Sequence, residues 1–128
     1  MSQALPFRVH NDGTVTDLRT GLMWQQYGSR VRYSWQDAGL YCDQARTAGY
    51  LDWRLPTLRE LVGLVVSSRS RPAIAPVFQC QEDGRYWSQT TKVNNEDKAG
   101  GVHFLAGTDF WEQKQSRLYV RCVRDPEQ

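Results

Sequence analysis

Segment 92–116, "KVNNEDKAGGVHFLAGTDFWEQKQS", gathers side chains suited to holding a polar ligand. Trp111 offers a flat apolar face, and Asn94, Asn95 and Asp109 offer amide and carboxylate groups that hydrogen-bond hydroxyls. A carbohydrate site uses this combination: a ring to stack on the sugar, and planar polar groups to read its hydroxyls. The competing reading makes Trp111 a core or edge aromatic and leaves the polar residues solvated. Asn94-Asn95-Glu96-Asp97 also supplies oxygen donors of the kind calcium prefers, but without EF-hand spacing, so no cofactor is predicted.

A second set is basic: Arg30 and Arg32, Arg69 and Arg71, and Lys92, Lys98, Lys114 and Arg117. Arginine pairs sulfate or carboxylate through two parallel hydrogen bonds, so Arg69, Arg71 and Lys114 are candidates for an anionic ligand. Acidic residues are interleaved, as in Glu96-Asp97 beside Lys98, which weakens a polyanion reading.

Cys42, Cys80 and Cys122 form no CxxC pair, and His10 and His103 are isolated, which argues against a zinc site. One long-range disulfide with an odd thiol, or three reduced buried cysteines, both fit these positions. No Ser/His/Asp set stands in a recognisable context and no Gly-rich phosphate loop is present, so the chain reads as non-enzymatic.

The elements that must position these groups fit one domain, residues 1–128. Apolar residues make up 40% of the chain, enough for a real core, and five Trp and six Tyr suit either core or ligand surface. A net charge of +2 and a pI near 8.5 are too mild to indicate nucleic acid. No apolar run approaches the roughly 20 residues of a membrane span. "MSQALPFRVH" has no signal-peptide pattern, which fits a cytoplasmic chain or one whose export signal has been removed.

Residues 7–25 read as two short strands around turns at Asn11-Asp12-Gly13 and Thr20-Gly21, with "GLMWQ" running inward. Residues 34–48 read as a helix, with Ser34 as N-cap, Asp37 in capping-box position and Gly49 as the stop. Ala38, Tyr41, Cys42, Ala45 and Ala48 form its apolar face. Residues 57–66 read as a second helix behind a Thr57/Glu60 capping box. Residues 67–85 read as a long loop. Strand composition returns at 86–92, 101–107 and 117–124, and Leu118, Val120 and Cys122 alternate toward the core. The order predicts an α+β domain with small antiparallel sheets, two helices and long irregular loops, whose first and last strands could pair.

The motifs "DGTVTDLRTGLMWQ", "SWQDAGLYC", "GYLDWRLPTLREL", "YWSQTT" and "YVRCVR", in this order across residues 7–124, resemble the Lcl C-terminal domain family, named after a bacterial collagen-like adhesin. The resemblance implies a C-type-lectin-like fold. It also implies a Cys42–Cys122 disulfide in an exported protein, since that pair commonly closes such domains. It makes "DWRLPT" a fold signature: Trp53 and Leu55 buried, Leu55 held extended by Pro56, and Arg54 paired with a carboxylate or loop carbonyls. Trp87 is then a core aromatic. The calcium-lectin triplets Glu-Pro-Asn, Gln-Pro-Asp and Trp-Asn-Asp are absent, and Cys80 alone does not reproduce the cysteine pair of the related formylglycine-generating enzymes.

In lectin-like folds the second loop region forms the ligand face, here 92–116. The resemblance therefore implies a recognition or adhesion module at a cell surface or outside the cell. Its partner would be a glycan, sulfated or anionic like the glycosaminoglycans associated with the namesake, or a surface protein. The alternatives are a variable ligand-binding protein of a diversity-generating retroelement, and a pilus or fibre-tip assembly domain that works as a homo-oligomer.

Overall fold

Asn11 and Gly13 turn the chain with φ of 60° and 91°. Asp12 Oδ1 accepts from both the backbone N–H (3.0 Å) and the hydroxyl (2.6 Å) of Thr14. The turn joins β1 (Phe7–Val9) to β2 (Thr14–Asp17), as its residues predict. These coordinates are a computed structural model, which describes residues 6–66, 68–69, 72–79 and 84–126. "GLMWQ" does more than run inward: Met23–Gln25 is a third strand, β3, antiparallel to β2. Three residues are too few to display a period.

Helix α1 (Trp35–Gln44) starts at Ser34, whose Oγ accepts from the Asp37 N–H at 3.3 Å. It stops four residues earlier than predicted. Ala45 is extended, and a 3-10 turn at Thr47–Gly49 follows. Tertiary contacts hold that turn: the Thr47 carbonyl accepts from the Trp53 indole at 3.2 Å. Helix α2 (Leu58–Val62) carries the complete Thr57/Glu60 capping box but ends at Gly63 rather than at residue 66. Val65 and Val66 leave the helix to bond the segment at Ala73 and Ile74. That segment is not a free loop over its described part, because Ala73, Ile74, Ala75 and Phe78 are buried.

The largest departure is residues 92–116. They are not an irregular loop: they carry β5 (Asn95–His103) and β6 (Thr108–Gln113), which join β4 (Arg85–Lys92), the strand expected at 86–92, in a sheet of order β4-β5-β6. The charge and glycine of "NEDKAGGVH" hide β5. The glycines are required by close packing. A Cβ on Gly101 would stand 2.6 Å from the Tyr86 carbonyl, and one on Gly100 would stand 2.9 Å from Leu58. The predicted strand at 101–107 ends at His103, and Phe104–Gly107 turn the chain into β6.

The final segment bridges Tyr33, Tyr86 and Arg54 through Leu118, Tyr119 and Val123 before forming β7 (Val123–Arg124). β7 pairs with β3, not with the first strand, so the first sheet runs β1-β2-β3-β7. The expected alternation is only half kept: Leu118, Val120 and Cys122 are buried, but so are Arg121 and Val123, because protein lies on both sides. Two apolar clusters result. One surrounds Trp24, Leu61, Ile74, Tyr86 and Phe104; the other surrounds Trp53, Trp87, Val120 and the cysteine pair.

Two features tie these parts together. Cys42 and Cys122 form a disulfide between α1 and the last segment. Arg54 grips Glu60 with two bonds of 2.9 Å and reaches Asp125 at 2.7 Å, while Trp53 and Leu55 are buried beside it, as expected of "DWRLPT". The architecture is α+β and is compatible with the C-type-lectin-like arrangement. Among the described residues no helix is long and apolar enough to cross a membrane.

Candidate functional site

Asn94, Asn95, Asp109 and Trp111, singled out from sequence, are spread along the β4-β5-β6 sheet. Asn94 occupies the β4–β5 turn with φ 70°, and Asn95 Oδ1 accepts from the Asp97 N–H at 3.3 Å. Asp109 and Trp111 lie on one face of β6, opposite Val102 and Gly100. Val102 is seven residues along β5 from Asn95, about 23 Å at strand rise. The asparagines and Asp109 therefore cannot read one monosaccharide together. Trp111 is 40% exposed and packs at the sheet edge over Gly100. Lys114 stacks its ammonium 4.1 Å above the Trp35 ring. Arg69 is exposed after α2, and Arg71 and Cys80 lie outside the described residues. Among the described residues no three His, Cys, Asp or Glu side chains converge.

A different cleft brings polar and aromatic groups together. It holds about 410 Å³ and is lined by Gly13, Gln25, Tyr27, Gly28, Arg30, Val31, Tyr33, Tyr41 and Thr47. No carboxylate lines it. Arg30 has no ion pair or hydrogen bond among the described residues, so its guanidinium is free for a ligand. The hydroxyls of Tyr27, Tyr33 and Tyr41 likewise have no intramolecular partner there. Tyr27 and Val31 are each 57% exposed. The Tyr33 and Tyr41 rings meet at 5.2 Å. Burial, with a smaller contribution from Tyr33, pushes the Tyr41 phenol above its ordinary 10.0. It therefore stays neutral at pH 7 and can both donate and accept.

The fold holds this cleft firmly. Residues 27–33 are stitched to the last segment: Ser29 N–H donates to the Val120 carbonyl (2.7 Å), Tyr33 N–H to the Leu118 carbonyl (2.7 Å) and Val120 N–H to Ser29 Oγ (3.0 Å). Gly28 permits the approach, since a Cβ there would stand 2.7 Å from the Tyr86 ring. The Cys42–Cys122 disulfide anchors the opposite wall one residue from Tyr41. Arg121 is fully buried and donates to the carbonyls of Gln25 (2.8 Å) and Gln26 (2.7 Å), just before Tyr27, and to that of Gln79. It also stacks against Phe78 and Tyr86, each at 5.2 Å.

Such a surface can stack an apolar sugar face, hydrogen-bond hydroxyls and pair one anionic substituent. Sequence reading noted Arg30 only as one of many cations, left Tyr27 and Tyr33 unassigned, and put Tyr41 on the apolar face of the first helix, where it is half-buried and also lines the cleft. They are spread over fifteen residues with no shared period, and only the disulfide and the 27–33 stitching bring them together. Among known families, the model of the Lcl C-terminal domain matches residues 13–124. No curated protein matches the chain.

Proposed function

The chain belongs to the Lcl C-terminal domain family, and from that premise we propose that it is a non-enzymatic, adhesin-like recognition domain binding an anionic or sulfated glycan in the Tyr27–Arg30–Tyr33–Tyr41 cleft. One observation carries the reading. Three tyrosine hydroxyls and one arginine, all without intramolecular partners among the described residues, line a single cleft that has no carboxylate. The free guanidinium favours sulfate or carboxylate, and the rings favour a pyranose face. The family's adhesin-like character supports a site of action at the cell surface or outside the cell. The disulfide supports that reading, since such bonds persist in oxidising compartments.

The direct test is a glycan array that includes sulfated glycosaminoglycans, probed with calcium and with chelator. Binding confined to sulfated or carboxylated glycans and indifferent to chelator supports the proposal. A blank array, or hits confined to neutral sugars, rejects it.

A further inference from the structure

The β4-β5-β6 sheet ends on β6 (Thr108–Gln113), whose outer side pairs with no strand among the described residues. Three bonds fix which of its backbone groups point outward. Lys114 N–H donates to the Asp97 carbonyl (2.8 Å), and Phe104 N–H to the Gly84 carbonyl (2.7 Å). The Gly100 carbonyl, turned toward β4, accepts from Ser88 Oγ (2.7 Å). Bonding direction alternates along an antiparallel ladder, so Ala99, Gly101 and His103 bond Glu112, Phe110 and Thr108. Asp109, Trp111 and Gln113 therefore turn their N–H and C=O groups away from the sheet.

The far end of this edge is closed internally. Gln113 N–H donates to Glu112 Oε1 (2.8 Å), and the Gln113 carbonyl accepts from Ser116 N–H (3.0 Å). The outward groups of Asp109 and Trp111 have no such partner among the described residues, and both residues are exposed. Natural edges are blunted by a lysine, a proline, a bulge or a covering segment. β6 holds no Lys or Pro, and its register with β5 is unbroken from Thr108 to Gln113.

Spacing and charge together name an occupant. The open groups recur at every second residue, about 6.8 Å apart, a repeat that an extended peptide backbone matches whatever its sequence. The Asp109 carboxylate has no ion pair or hydrogen bond among the described residues. The cross-strand cation on its face, Lys98, stands opposite Gln113, about 13 Å along the strand. Glu112, the other charge of β6, is acidic as well. A second copy of β6 would bring Asp109 and Glu112 of both chains into one ladder, whereas a basic strand answers Asp109.

We propose that the Asp109–Trp111 edge captures an extended basic segment of a protein partner as an added antiparallel strand. The pairing sets an apolar residue of that segment against Trp111 and a Lys or Arg two positions later against Asp109. The edge shares no residue with the tyrosine cleft and does not depend on the glycan reading.

The test titrates the peptide acetyl-Thr-Thr-Val-Thr-Lys-Thr-Thr-amide, up to millimolar concentration, into the ¹⁵N-labelled protein. The expected result is a saturable shift of the Asp109 and Trp111 backbone amides. N-methylation of the peptide at Val and Lys, which removes the two donors facing β6, abolishes it. Glu in place of the peptide Lys weakens binding about threefold or more. Asp109→Lys, at an exposed position, reverses that preference. No saturable shift, binding that survives N-methylation, equal binding of the Lys and Glu peptides, or an unchanged preference in Asp109→Lys overturns the proposal. A shift of the same amides with protein concentration alone also overturns it and assigns the edge to a second copy.

Discussion

Gln25 and Cys122 are joined across the floor of the tyrosine cleft: the Cys122 backbone N–H donates to Gln25 Oε1 at 2.9 Å. The other end of the same amide donates to Thr47 Oγ1 at 3.0 Å. One side chain therefore braces β3 against both the last segment and the turn that follows α1. Gln25→Ala leaves a buried N–H without an acceptor, which costs about 1–3 kcal/mol. Urea denaturation checks this; a loss under about 0.5 kcal/mol, within the range of ordinary surface substitutions, contradicts the brace.

The disulfide closes a sequence separation of 80 residues. In the chain-entropy account a loop of that length contributes about 4–5 kcal/mol, and measured values often fall lower. The paired substitution Cys42→Ser/Cys122→Ser is expected to lose about 2–5 kcal/mol. Because Cys42 adjoins Tyr41, the reduced protein also loses definition in one cleft wall. Thermal melts with and without reductant read the first effect. Unchanged stability on full reduction would show that the joint is not needed.

Acid should loosen the Arg54–Glu60 clamp. The Arg54 guanidinium, and then the Thr57 N–H, hold the Glu60 carboxyl below its ordinary 4.5. Between that lowered value and 4.5 the unfolded chain binds more protons, so stability rises with pH there. The contribution is complete above about pH 4.5 and disappears as pH falls through the folded value. Glu60→Gln should lose about 1–2 kcal/mol at pH 7 and flatten this acid limb. Asp125→Asn, at a largely exposed partner, should cost little. An acid limb as steep in Glu60→Gln as in the parent would assign it to other groups.

Local signals carried much of the fold and little of the candidate cleft. The Thr57/Glu60 box, the Ser34 cap and the Asn11–Gly13 turn were readable because each depends on neighbours in sequence. The burial of Trp53, Leu55 and Trp87 was implied by the family resemblance and not by size, since Trp111 and Tyr27 are exposed. β5 was hidden because Gly100 and Gly101 are chosen for the close approach of Leu58 and the Tyr86 carbonyl, which no strand propensity records. α1 ended early because Thr47 was claimed by Gln25 and Trp53 from elsewhere in the fold. The tyrosine cleft has the same origin. Tyr27 and Tyr41 become neighbours only through Cys122 and the stitched segment, and buried Arg121 looks from sequence like any strand cation.

The central claim is that Tyr27 and Arg30 face the ligand. Its most direct test is isothermal titration of the best array glycan into the parent protein and into Tyr27→Ala, Arg30→Gln and Trp111→Ala, with melting temperatures measured alongside. Tyr27→Ala and Arg30→Gln should each weaken binding about tenfold or more at unchanged melting temperature, as loss of a stacking ring or a charged pair implies. Trp111→Ala should bind like the parent. Full affinity in both cleft variants, with binding lost in Trp111→Ala, would contradict the account and move the ligand to the edge of β6.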